Sequence, residues 1–195
     1  MSFVEPVTLT GTLVTLKPLS HDHHDGLVAA ASDGELWNLW YTTVPRPPEM
    51  DAEIDHRLAL PTMVPFTVFR NDINQVIGMT TYLNIDADNR RLEIGGTWLA
   101  KSAQRTGMNV EGKLLLLSHA FEELDCLAVE FRTHWLNMQS RAAIARLGAK
   151  QDGVLRHHRL MPDGTIRDTV VFSIIAPEWP AVRNELVRRL AARHG

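Results

Sequence analysis

The sequence predicts a mixed α/β protein built on one mostly antiparallel sheet. Three features point there. Short runs of alternating apolar and polar residues recur between turn signals, as half-buried strands require. Val110, Leu114, Leu117 and Phe121 recur at helical spacing between two such runs, so a helix crosses over from one strand to the next. Two helical stretches precede the main group of strands and one closes the chain. The predicted order is β-α-α-β-β-β-α-β-α-β-β-α.

Val7 to Leu19 alternates through Leu9, Leu13 and Leu16 and reads as a single first strand. Ser20 is placed to cap a helix from about His21 to Ala31. Pro45, Pro47 and Pro48 then interrupt any helix, so the Trp-rich stretch ELWNLWYTTVPRPPEM is a shaped loop before a second helix at Asp51 to Leu60. PFTVF and QVIGMTTYL form a hairpin about RNDIN, and RRLEIGGTWLA follows the turn signal DADN. The crossover helix of about fifteen residues leads to the strand LAVEFRTHW, whose apolar positions read as core. A short helix from Ser140 to Leu147 ends at Gly148, a C-terminal cap. VLRHHRLM and DTVVFSII flank PDG as an antiparallel hairpin, and EWPAVRNELVRRLAARHG closes as a helix with arginines toward its negative end.

At 195 residues the chain suits one domain, 1–195. A hydrophobic fraction of 45% and a charged fraction of 22% are those of a globular protein. Net charge is −3, and no basic stripe or aromatic platform suggests nucleic acid. The lone Cys126 fits a reducing compartment, and neither a signal peptide nor a membrane-length apolar run is evident, so a cytoplasmic protein is expected. The apolar positions Val182, Leu186 and Leu190 of the last helix suit packing within the chain or a dimer contact, which leaves a monomer or homodimer.

QRTGMNVEGKLL, at 104–115, turns from a loop into the crossover helix. A helix N-terminus presents unpaired amides and the positive end of the dipole, and so accepts phosphate. Gly107 allows positive φ or close approach of a ligand, Thr106 and Asn109 offer donors, and Arg105 offers charge. By itself the loop also reads as a plain turn. Upstream, Gly95-Gly96 inside a strand signals a bulge or a backbone left open, with Glu93 two residues before it.

Together with the downstream segment LNMQSRAAIARLGA, these residues resemble the GNAT superfamily of acyl-CoA N-acyltransferases, in the branch resembling RimJ and RimL. The loop Gln104-Arg105-Thr106-Gly107-Met108-Asn109 is similar to that family's Q/R-x-x-G-x-G/A, with Asn109 where Gly or Ala is usual. Asn137, Ser140 and Leu147-Gly148 resemble the branch's N-x-x-S-x(6)-L-G. The resemblance implies a central pair of parallel strands, 91–100 and 127–135, splayed apart with flanking helices. In their gap the pantetheine of acetyl-CoA would pair with backbone at Thr97, Trp98 and Leu99. It also implies that residues 104–109 hold the pyrophosphate through amides, Met108 included, and that Asn137 bonds the pantetheine. No metal is expected.

The implied reaction is direct attack of an amine on the thioester. Glu93 is the expected base, although it also reads as a partner for Arg90 or Arg91. The family's common acid, a Tyr seven residues after the Asn, is Ile144 here, so Ser140 is the implied donor; it equally reads as a helix N-cap. Trp37, Trp40 and Tyr41 read as core anchors, and the resemblance implies that one or two face the acceptor, a peptide N-terminus or a small amine. His21 and Asp25 in HDHHD lack a third ligand at recognisable spacing, so a solvated helix start is the reading. A non-catalytic acyl-CoA sensor or scaffold is the competing function.

Overall fold

In the computed structural model, residues 3–40, 43–161 and 163–192 are described. Eight strands form one sheet in the order β1-β2-β3-β4-β5-β6-β8-β7. They are β1 Leu9–Thr10, β2 Val14–Pro18, β3 Val64–Arg70, β4 Gln75–Asp86, β5 Arg91–Leu99, β6 Ala128–His134, β7 Lys150–Leu160 and β8 Ile166–Ile175. Every pairing is antiparallel except β5 with β6. The intervening α3, Met108–Ser118, makes that parallel pair possible, because antiparallel neighbours need only a turn and parallel ones need a crossover. The mixed sheet with a central parallel pair and flanking helices is therefore the architecture expected.

The helices α1, His24–Ser32, and α2, Met50–Ala59, cover one face, where Arg57 of α2 donates to Thr81 of β4. On the other face lie α3 and α5, Trp179–Ala191, where Lys113 of α3 reaches Thr80 of β4. Leu27 and Ile54 on one side, and Leu116 and Leu117 on the other, are fully buried against strand residues such as Phe66, Met79 and Tyr82. No helix among the described residues is long and apolar enough to cross a membrane.

Three local predictions change. The expected single strand Val7 to Leu19 breaks into β1 and β2, because Glu111 of α3 accepts the amides of Thr12, Leu13 and Val14 at 3.0, 2.6 and 2.8 Å. A carboxylate nearly a hundred residues away thus makes the turn. The crossover helix continues past α3 as a π turn at His119–Glu123, where the buried Tyr82 hydroxyl donates to the Leu116 carbonyl at 2.7 Å. Finally, α4, Met138–Arg146, is capped by Asn137 and not by Ser140: Asn137 Oδ1 accepts the Ser140 amide at 2.9 Å. Ser20 does cap the first helical turn, its Oγ accepting the Asp22 amide. Gly148 ends α4 at φ +99° as expected.

Candidate active site

β5 and β6 pair only at Arg91↔Ala128, Leu92↔Val129 and Glu93↔Glu130. Past Glu93, β5 stays with β4 as far as Leu99, while β6 stays with β8 as far as His134, so the parallel strands part. The parting begins at the Gly95-Gly96 pair. Register runs from Thr81↔Gly95 to Met79↔Trp98, which leaves one extra residue on β5, and Gly96 takes φ +56°. That is a β-bulge, and it turns β5 out of line with β6. A Cβ on Gly96 would lie 2.7 Å from Arg57 Nη1, so this close approach requires glycine as well.

The bulge also reverses which side chains face α3. Beyond it, Thr97 Oγ1 lies 2.7 Å from Thr80 Oγ1 and accepts from Lys113 Nζ at 2.6 Å. A cleft between the sheet and α3 is lined by Thr80, Thr97, Leu99, Met108, Asn109 and Lys113 among others. Lys113 is buried there with hydroxyl acceptors, and burial lowers its pKa to about 7. Trp98 and Leu99 are buried; the Trp98 indole N–H is buried without a partner among the described residues.

The loop at 100–107 delivers the chain into α3. Gln104 folds back, its Nε2 donating to the Leu99 carbonyl at 2.9 Å. The Thr106 hydroxyl, expected as a ligand donor, donates to the Ala103 carbonyl at 2.6 Å. Arg105 is exposed at φ +64°, and Gly107 stands as the N-cap of α3 at φ +101°. The first α-helical bond is from the Glu111 amide to the Gly107 carbonyl. The amides of Met108, Asn109 and Val110 therefore precede any intrahelical acceptor, the first lying 3.5 Å from Thr106 Oγ1, and they stand at the positive end of the helix dipole.

Glu93 sits on the opposite face from Lys113, 6% exposed. Asn84 Nδ2 donates to its Oε2 at 2.7 Å, and Arg132 Nε lies 3.5 Å from the same oxygen. Burial raises the Glu93 pKa above the usual carboxylate value, with Arg132 and Asn84 opposing. Neither Arg90 nor Arg91 is its partner: Arg90 pairs with Asp125, and Arg91 pairs with Glu130. Arg132 also donates to Glu130 Oε2 at 2.8 Å, so two buried carboxylates share one guanidinium at the end of the parallel pairing.

A model of the acetyltransferase (GNAT) domain family matches residues 14–150, most of the chain. The chain belongs to the GNAT acetyltransferase family. A Bacillus subtilis (strain 168) protein named "Putative ribosomal N-acetyltransferase YdaF" is 34% identical over 102 residues, which are 52% of this chain and 55% of that protein. The chain thus spans about half the length of this curated relative. A GCN5-related N-acetyltransferase from Brucella melitensis is 27% identical with a TM-score of 0.87, covering 96% of this chain and 86% of that one. RimJ of Mycobacterium smegmatis, solved with CoA-disulfide, is 23% identical with a TM-score of 0.79 over 96% of both chains, a likeness of fold.

Within this GNAT chain, the loop between α1 and α2 reaches the Glu93 face. Trp40 is exposed and meets the His134 ring edge-on at 5.2 Å between centroids, and His134 follows Glu130 and Arg132 along that face of β6. Trp37 is half-buried and packs against the core. Tyr41 lies outside the described residues. Asn137 and Ser140 stand just past the end of β6, with the Asn137 carbonyl oxygen already engaged as the cap, which leaves its NH2 group as the donor for a ligand. Ile144 is buried.

The HDHHD residues satisfy local partners. His21 Nε2 lies 3.2 Å from Asp55, His23 Nδ1 lies 2.9 Å from the Thr67 hydroxyl, and His24 Nδ1 lies 2.8 Å from Asp25. No group of three or more potential metal-ligating side chains occurs among the described residues. Sequence reasoning missed Lys113, Glu130 and Arg132. The last two occupy the polar positions of LAVEFRTHW, and that alternation was the available signal.

Proposed function

We propose that this protein transfers an acetyl group from acetyl-CoA to a primary amine, foremost the α-amine of a peptide. The observation that carries this reading is the gap between β5 and β6, which opens next to the buried Glu93 and is flanked by the N-terminus of α3. The residues suit the cofactor. Amides of 108–110 would take the pyrophosphate with Arg105 alongside, and strand edges left open past Glu93 would take pantetheine amides as an added strand takes its neighbour. Thr97, Trp98 and Leu99 lie along that edge, and Asn137 faces it from the end of β6.

An ammonium has no lone pair, so the acceptor gives a proton to Glu93, directly or through water, before its nitrogen attacks the thioester carbonyl. The C–N bond forms, the C–S bond breaks, and the second proton shed by the nitrogen passes by way of the Ser140 hydroxyl to the departing sulfur, which leaves as the thiol. An α-amine, with a pKa of about 8 against about 10.4 for lysine, needs less help from a base. A raised carboxylate pKa makes Glu93 a better base near neutrality. The name of the Bacillus subtilis relative, "Putative ribosomal N-acetyltransferase YdaF", supports a protein acceptor, and the RimJ fold with a CoA species supports the cofactor.

A non-catalytic CoA sensor is the second reading, favoured by the hold of Asn84 and Arg132 on Glu93. Mass spectrometry of peptides and small amines incubated with acetyl-CoA separates the two. Acetylated product is expected, whereas cofactor binding with no product from any amine would establish the sensor.

A further inference from the structure

β7 and β8 pair so that Arg159 stands directly opposite Arg167. Cross-strand partners share a face, and like charges placed opposite each other destabilise a strand pair. Neither arginine has a carboxylate at ion-pair distance among the described residues, in contrast to Arg132, which has two. Asp168, between Arg167 and Thr169, falls on the opposite face and is taken by Arg156 and the His157 amide.

The arginine pair is on the Glu93 side. Arg167 Nε donates to Thr169 Oγ1 at 3.0 Å, and Thr169 is the register partner of His134, which shares its face of β6 with Arg132 and Glu130. Electrostatics agree with that placement: burial and then the charge of Arg159 lower the pKa of the half-buried Arg167, with Glu93 opposing, and Arg159 is among the cations that oppose the burial-driven rise of the Glu93 pKa. Two guanidinium groups with no carboxylate at ion-pair distance among the described residues, one of them half-buried, form a ready fork for a carboxylate or phosphate.

We propose that Arg159 and Arg167 form an anion subsite that selects acceptor peptides carrying a negative charge within a few residues of the reactive amine. This selection rests on the acetyl-transfer reading above. The amine would approach Glu93 while the acidic group engages the β7–β8 arginines, an arrangement that fixes the direction of the peptide.

The test uses short peptides of one length beginning with Ser, in which the next two residues are Glu, Gln, Lys or phosphoserine. With acetyl-CoA, the Glu peptides should exceed the Gln peptides in kcat/KM by about 10- to 100-fold, as one or two charge-assisted contacts allow. In the R159Q/R167Q variant that ratio should collapse toward one, and in R159E/R167E it should invert in favour of Lys. The phosphoserine arm shows whether phosphate serves as well as carboxylate. Equal rates for Glu and Gln peptides in the wild type, or an unchanged ratio in the double variant, would overturn the subsite. Should no peptide be acetylated at all, calorimetric titration of the Glu peptide into the CoA-bound protein still decides: binding lost in R159Q/R167Q sustains the anion subsite while the catalytic reading falls, and no binding sinks the subsite as well.

Discussion

Glu93 and Lys113 are buried ionisable groups on opposite faces of β5, and their surroundings differ in kind. Glu93 keeps charged company: an amide donor from Asn84, a guanidinium at 3.5 Å from Arg132 and a second carboxylate, Glu130, across the parallel pairing. Among the described residues, the partners of Lys113 are the hydroxyls of Thr80 and Thr97. Burial pushes both groups toward the neutral form, raising the acid and lowering the amine. On the acid side the neighbouring cation offsets part of that push, and on the lysine side no anion does. The acid is thus poised to exchange a proton, whereas the lysine serves as a donor wedged under the strand that the bulge has displaced. On the proposed reading the two faces of one strand divide the work, cofactor cradle on the α3 side and proton chemistry on the other.

Three substitutions test that division, and two more test the helix cap beside it. The largest effect belongs to G107V. A β-branched side chain at φ +101° is strained and stands where the phosphates would approach, so acetyl-CoA binding should disappear from calorimetry while the circular dichroism spectrum stays folded. Unaltered affinity would remove the α3 terminus from the cofactor site. E93Q should instead spare cofactor affinity and lower kcat by about 100-fold or more. In the wild type, kcat/KM should fall as pH drops through the raised Glu93 pKa, because the base becomes protonated; E93Q should lack that acid limb in a pH–rate series. An identical limb in both proteins would assign the base elsewhere.

K113M addresses the lysine side through stability. The folded value of about 7 lies below the unfolded lysine's 10.5, so between them only the unfolded chain holds the proton. Stability therefore rises with pH across that window, and below about 7 the full cost of the buried ammonium applies. Replacing it should raise the thermal midpoint at pH 6 by about 4–8 °C, for a gain of about 2 kcal/mol, and by less at pH 9. A uniform change at both values would mean that Lys113 does not titrate in this range. The smallest effect is N137A, where loss of the α4 cap should cost about 1 kcal/mol in a denaturant melt, with S140A costing less. A reversed order would restore Ser140 as the cap.

Much of this was legible beforehand, for identifiable reasons. The period of two in the strands, the helical spacing from Val110 to Phe121 and the turn residues are local signals, and they yielded the element order and the crossover. Gly95-Gly96 predicted a bulge because few other residues reach that backbone, and Gly107 marked a helix entry for the same reason. What escaped depended on distant partners. Nothing near Gly11 announces that Glu111 will fold the turn there. Lys113 lies one place before Leu114 in the apolar stripe, so periodicity hid its burial. Glu130 and Arg132 looked like the solvated half of an alternating strand, yet Glu130 is 9% exposed because the sheet face they occupy is closed by charge and not by apolar packing. The choice between Asn137 and Ser140 as cap turned on three residues of helix register, which propensity does not resolve.

The Glu111 carboxylate that gathers the amides of Thr12, Leu13 and Val14 belongs to the first turn of α3, just after the amides assigned to the pyrophosphate. The N-terminal hairpin and the cofactor cradle are therefore two ends of one lever. Deleting Thr12, Leu13 and Val14 would strip that carboxylate of all three amides and leave a repulsive charge beside the helix end proposed for the phosphates, so this turn, far from the reacting atoms in sequence, is a poor place to cut the protein.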